Sequence, residues 1–94
     1  MISRSCLIAS TKMDNLSVVL TNNSSTLSMN RFEVYDEVCG AQVGIFTLKG
    51  GESRTISVSQ DENGKGRVRI RNLDLSPHEW VKFDSVSLGD VITA

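Results

Sequence analysis

The feature that most constrains this chain is an alternation of apolar and polar side chains with period two, recurring from residue 15 almost to the end. In "NLSVVLT", Leu16, Val18 and Leu20 fall on one face. "NRFEVYD" turns Phe32 and Val34 one way and Arg31, Glu33 and Tyr35 the other. "RTISVSQ" sets Ile56 and Val58 against Thr55, Ser57 and Ser59, and "RVRIR" sets Val68 and Ile70 against three arginines. Successive side chains of a strand point to opposite faces, so this pattern specifies half-buried strands, and no segment sustains a helical period. "AQVGIFTL" departs from it: Val43 and Ile45 oppose Phe46 and Leu48, which predicts burial on both faces or a bulge near Gly44. Further short strands are expected in "WVKF", "SVSL" and "DVIT", separated by Asp84 and Gly89.

Turn clusters separate the runs: "TNNSST", "DEVCG", "KGGES", "DENGKG" and "NLDLSPHE". Strands at such spacing, without an internal repeat or linker, predict an all-β fold. The expected architecture is a small antiparallel β-sandwich, immunoglobulin-like or jelly-roll-like, of roughly seven or eight strands. At 94 residues the expectation is a single domain over 1–94. One short helical turn is expected at "SPHEW", with Ser76 as N-cap and Pro77 at the first helical position.

Charge narrows the function. The formal net charge is −1, so attraction to nucleic acid is not expected. No apolar run approaches the ~20 residues that span a bilayer, so no membrane span is expected either. The apolar piece "CLIA" near the start is too short for a secretory signal, and compartment is left open. The two cysteines, Cys6 and Cys39, lack metal-site spacing; they fit buried apolar positions or, in an oxidising compartment, one bridge.

"DENGKG" reads in two ways, as a calcium loop or as a tight turn. Counted from Asp61 as a helix–loop–helix calcium loop, position 5 is Lys65 and position 12 is Asn72. A cation therefore stands at a ligand position, and the closing carboxylate is missing. As a turn, Glu62-Asn63-Gly64 connects two strands, with Gly64 in the left-handed conformation such a connection requires. The turn reading pairs Val58 with Val68 and Ile56 with Ile70 in a hairpin, which sets Thr55, Ser57 and Ser59 beside Arg71, Arg69 and Arg67. No metal site and no cofactor are expected.

Arg67, Arg69 and Arg71 thus form a row on a solvent face, about 6–7 Å apart. Such a row suits an anion or an acidic partner, or is a solvated face whose arginines pair with Glu33, Glu52 or Asp74. Trp80 shares the outward side of its strand with Lys82 if Val81 and Phe83 are core, and either stacks on a sugar or caps the core. Phosphate-loop, zinc-protease and serine-hydrolase motifs are missing, so no catalytic residues are assigned. The leading expectation is a non-enzymatic recognition or assembly module that binds a protein partner, or itself as a homo-oligomer, through a sheet face or edge. Arg67, Arg69, Arg71 and Trp80 are its candidate binding residues. The alternative is a small lectin-like protein that binds glycan through Trp80 and nearby loops, with or without calcium. A third reading is a thiol enzyme built on Cys39 and His78.

Overall fold

Among the described residues seven strands form where the alternation runs: β1 (Asn15–Thr21), β2 (Met29–Asp36), β3 (Ala41–Lys49), β4 (Ser53–Ser59), β5 (Gly66–Asn72), β6 (Val81–Val86) and β7 (Val91–Thr93). The computed structural model describes residues 15–24 and 28–93, so Cys6 lies outside the described residues. The strands make two packed sheets, one in the order β4-β1-β7 and the other in the order β3-β2-β5-β6. The chain is a small β-sandwich of three and four strands. The expected strands "WVKF" and "SVSL" are one, β6, which runs through Asp84. Among the described residues no helix is long and apolar enough to cross a membrane.

The core joins the inward residues of both sheets. Leu16, Val18, Leu20, Ile56, Val58 and Ile92 come from the three-stranded sheet, and Phe32, Val34, Leu48, Val68, Ile70 and Val86 from the four-stranded one. Burying a side chain of this kind stabilises by roughly 1.5–3 kcal/mol, so these positions decide which way every strand faces. The irregularity near Gly44 is a bulge: Val34 opposes Gly44 but Tyr35 opposes Gln42, leaving Val43 as the extra residue. A side chain at Gly44 would press on the Phe46 ring at 3.3 Å.

The hairpin expected between β4 and β5 does not form. The turn itself is as expected: Asp61 N–H donates to Lys65 C=O (2.8 Å), Gly64 N–H donates to Asp61 C=O (3.0 Å), and Gly64 has φ of +78°. Beyond it the strands part into different sheets. Val58 pairs with Leu16 and Ile56 with Val18, whereas Val68 pairs with Phe83 and Asp36, and Ile70 with Val81 and Val34. The connection is an arch across the sandwich. Its second glycine is needed for space, since a Cβ on Gly66 would meet Ser59 C=O at 3.2 Å and Val58 Cγ2 at 3.3 Å. A hairpin and an arch both turn Ile56, Val58, Val68 and Ile70 toward one interior. In the hairpin they lie side by side, and in the arch they face each other. The apolar pattern is identical in the two cases.

The short helix expected at "SPHEW" is also absent. Residues 73–77 are turns and bends and 78–80 are irregular, held by Leu73 N–H to Arg31 C=O (2.8 Å), Asp74 N–H to Asn72 Oδ1 (2.8 Å) and Glu79 N–H to Pro77 C=O (3.0 Å).

Two buried polar clusters close the ends of the sandwich. At one end Asn22 Nδ2 donates to Asn30 Oδ1 (3.2 Å) and Leu48 C=O (2.9 Å), and its Oδ1 accepts from Ser24 N–H (2.9 Å). At the other end Asp36 Oδ1 accepts from the N–H of Val38 (3.0 Å) and Cys39 (3.2 Å), and Oδ2 accepts from Ser59 N–H (2.8 Å). Asp36 therefore ties β2, the turn after it and the end of β4 together across the two sheets. Asn22, Asn30 and Asp36 continue the inward registers of Leu20, Phe32 and Val34, two residues on or two before. A polar side chain in an inward register is the sequence signal that marks them.

A candidate recognition face on the four-stranded sheet

Because Val34 and Ile70 point inward on adjacent strands, the residues beside them point out together. The register sets Glu33 opposite Arg71 and Tyr35 opposite Arg69 on β2 and β5, and Arg69 opposite Lys82 on β6. One step beyond β6, Trp80 reaches the same face. Arg67, Arg69, Arg71 and Trp80 are thus on one surface, joined by Tyr35. The flanking strands are β2 and β6, and the hydroxyls of β4 expected beside the arginines belong to the opposite sheet.

The arrangement is a stack of rings and guanidinium groups. Arg69 Cζ lies 4.4 Å from the Tyr35 ring centroid and 4.7 Å from that of Trp80. Arg71 Cζ lies 4.4 Å from the Trp80 ring. Tyr35 and Trp80 meet edge to face with centroids 6.5 Å apart. Each cation–π contact in a partly exposed setting is worth about 0.5–1 kcal/mol. Arg69 Nε is enclosed within this stack and has no hydrogen-bond partner among the described residues, a cost set against the two ring contacts on the same guanidinium.

Every arginine of the row also has a carboxylate. Arg71 Nε donates to Glu33 Oε1 at 2.7 Å, Arg69 Nη1 to Glu37 Oε2 at 3.4 Å, and Arg67 Nη1 lies 3.6 Å from Asp61 Oδ2. Gln42 Nε2 donates to the second oxygen of Glu33 (2.9 Å). The hydrogen bond from Arg71, helped by that from Gln42, holds the Glu33 carboxyl below the usual carboxylate range despite its burial. Of the three expected acidic partners only Glu33 serves the row. Asp74 pairs with Arg31 (2.9 Å), whose side chain lowers the Asp74 pKa, and Glu52 Oε1 accepts from Lys49 N–H (2.8 Å). Glu37 and Tyr35 were not expected here. Tyr35 already shared a sequence register with Glu33, whereas Glu37 lies past the end of β2, where alternation no longer reports direction.

The remaining candidates lie outside the ring stack. Asp61 Oδ1 accepts from Asn63 N–H (2.8 Å) and Lys65 N–H (3.0 Å), and those backbone bonds lower its pKa. The carboxylate thus organises its own turn. Among the described residues no cluster of three or more His, Cys, Asp or Glu side chains is placed to hold a metal ion. Cys39 is buried and disulfide-bonded, and its Sγ lies 2.7 Å from Ser59 Oγ. It follows the C-terminal end of β2, whereas His78 is exposed in the loop after β5, next to the start of β2. The structure does not bring Cys39 and His78 together.

No known protein family, curated protein or solved structure matches this chain.

Proposed function

We propose that this domain is a non-enzymatic recognition module that binds a protein partner through the outer face of its four-stranded sheet, at Tyr35, Arg67, Arg69, Arg71 and Trp80. The observation that carries the reading is the Tyr35–Arg69–Trp80–Arg71 stack. Tyrosine, tryptophan and arginine are the residue types that dominate binding energy at protein interfaces. Here they are held by one another before any partner arrives, which lowers the ordering cost of association. Paired charges favour a protein over a polyanion: a phosphate or sulfate chain would have to displace Glu33, Glu37 and Asp61. A protein surface of mixed sign meets both members of each pair. A sugar ring stacking on Trp80 would likewise have to displace Arg69 and Arg71.

The test is photo-crosslinking from position 82, with a photoreactive side chain in place of Lys82 and extract from the source cells. One protein should be captured, and capture should fall at least roughly tenfold in Trp80→Ala and Arg71→Ala, as hot-spot truncations of 1.4 kcal/mol or more require. Ser57→Ala, on the other sheet, should capture normally. Equal capture by the Trp80 and Arg71 variants, or no captured protein at all, removes the reading. Trp80-dependent binding on a glycan array in place of protein capture would install the lectin reading.

A further inference from the structure

We propose that the free edge of β4 is a self-association surface, on which a second copy of this chain pairs antiparallel about Thr55 and joins the two three-stranded sheets into one. This surface lies in the opposite sheet from the recognition face and does not depend on it.

Backbone directions on β1 identify the groups of β4 that have no strand partner among the described residues. Val19 N–H donates to Asp90 C=O (2.8 Å) and Ser17 C=O accepts from Gly89 N–H (2.8 Å), so these odd-numbered residues turn toward the β7 side. Leu16, Val18 and Leu20 therefore turn toward β4, where their partners are Val58, Ile56 and Arg54. Antiparallel ladders alternate, which leaves the N–H and C=O of Ser53, Thr55 and Ser57 directed away from β1. Ser59 continues that outward series, and its N–H is taken by Asp36 Oδ2 (2.8 Å). Among the described residues no strand lies on this side of β4. The outward groups are thus those of three alternate residues centred on Thr55.

That set is its own complement under a two-fold axis. Thr55 pairs with Thr55 of the second copy, and Ser53 with its Ser57, each pair exchanging both hydrogen bonds. The side chains brought together on the outer face are small hydroxyls, with no charge to oppose a like charge. Arg54, the one charged residue of the strand, sits on the other side of the pleat with its guanidinium 5.9 Å from the Phe46 ring centroid. The register of β1 with β4 runs without a break over seven pairs, so the edge is regular.

The other edges carry features that oppose strand addition. β3 contains the bulge at Val43 and ends on Lys49. β6 exposes Lys82 and Asp84, and its register with β5 shifts between Gly66 and Val68. β7 has three residues. Bulges, edge charges and short strands are the usual devices against edge pairing; β4 is seven residues long without a bulge, and its one charge, Arg54, lies on the far side of the pleat from Thr55.

Light scattering on a dilution series tests this. The wild-type mass should rise with concentration toward twice the monomer's 10.3 kDa. Thr55→Lys sets two lysines directly opposite each other and should return the mass to the monomer. Thr55→Pro deletes an N–H that faces away from β1, so it should also be monomeric, with the β circular-dichroism signal retained. Trp80→Ala should dimerise like wild type, which separates failure here from failure of the recognition face. A wild-type monomer at every concentration overturns the proposal, as does a dimer that survives in folded Thr55→Lys.

Discussion

The two outer faces of this sandwich are built on the same alternation and have opposite chemistry. On the four-stranded sheet Arg31, Glu33, Tyr35, Arg67, Arg69 and Arg71 point outward from the central strands β2 and β5, each engaged with a charge or a ring, and only Met29 at the start of β2 stands bare among them. On the three-stranded sheet they are Ser17, Val19, Thr21, Ser53, Thr55, Ser57, Val91 and Thr93, which carry no charge. The only side-chain bond described there joins Thr21 Oγ1 and Ser53 Oγ (2.7 Å). Burial dictates only what faces the core; the solvent face is free to differ. One sheet has used that freedom to fix large side chains in place, and the other to keep a smooth surface and a regular edge. A pre-set cluster is suited to meeting a foreign surface, and a bare edge to meeting a strand.

The largest expected effect comes from the residue that ties the two sheets together. Asp36→Ala leaves the buried N–H groups of Cys39 and Ser59 and the partly buried one of Val38 without their acceptor, at a cost of about 3 kcal/mol. For a domain of this size that lowers the melting temperature by roughly 15 °C. Thermal denaturation followed by circular dichroism reads it directly. A fall of only a degree or two would mean that the sheets are held by their apolar contact alone, and that the Asp36 end matters no more than either outer face.

How much of this contrast was legible beforehand depends on the range of each interaction. The outward row of Arg67, Arg69 and Arg71 follows from their own positions beside Val68 and Ile70, and so does the shared face of Glu33 and Tyr35. What flanks the row does not follow. The inward pattern of β4 and β5 is satisfied equally by a hairpin and by an arch, so alternation alone set Ser57 beside Arg69 when Tyr35 and Lys82 belong there. The choice between them is made far away in sequence, by β1 pairing with β4 and β2 with β5. Trp80 could be placed outward from Val81 and Phe83, but its contact with Arg69 and Arg71 required that same long-range pairing. Asp36 and Asn22 were more accessible, as polar residues in an inward register.

The second effect is intermediate and sharpens the contrast between the faces. Trp80→Ala removes ring contacts to Arg69, Arg71 and Tyr35 and should destabilise by about 1–2 kcal/mol. Ser57→Ala, equally outward on the other sheet, should change stability by less than about 0.5 kcal/mol. A double-mutant cycle between Arg69 and Trp80 isolates the stack and should give a coupling of about 0.5–1 kcal/mol. Urea denaturation of the four variants measures all three quantities. A coupling near zero would make the stack a crowding of side chains without mutual attraction, and the two faces would then be energetically alike.

The smallest effect is a pH dependence confined to one face. The Glu33 carboxyl, held down chiefly by its hydrogen bond from Arg71, titrates below its ordinary 4.5 in the folded protein. A depressed folded-state pKa means that the unfolded chain binds the proton more tightly. The stabilisation is therefore fully present above the ordinary value and is lost as pH falls through the lower, folded one. Glu33→Gln removes this linkage. The variant should be less stable than wild type at pH 7, by about 0.5–1 kcal/mol for a partly exposed ion pair, and the two should converge as the pH is lowered below 4.5. Ser57→Ala should run parallel to wild type throughout, because nothing on its face titrates. Melting temperatures of the three proteins between pH 3 and pH 7 decide the matter. A constant gap between wild type and Glu33→Gln would mean that Arg71 is held by Trp80 alone, with its carboxylate contributing nothing to the order of the face.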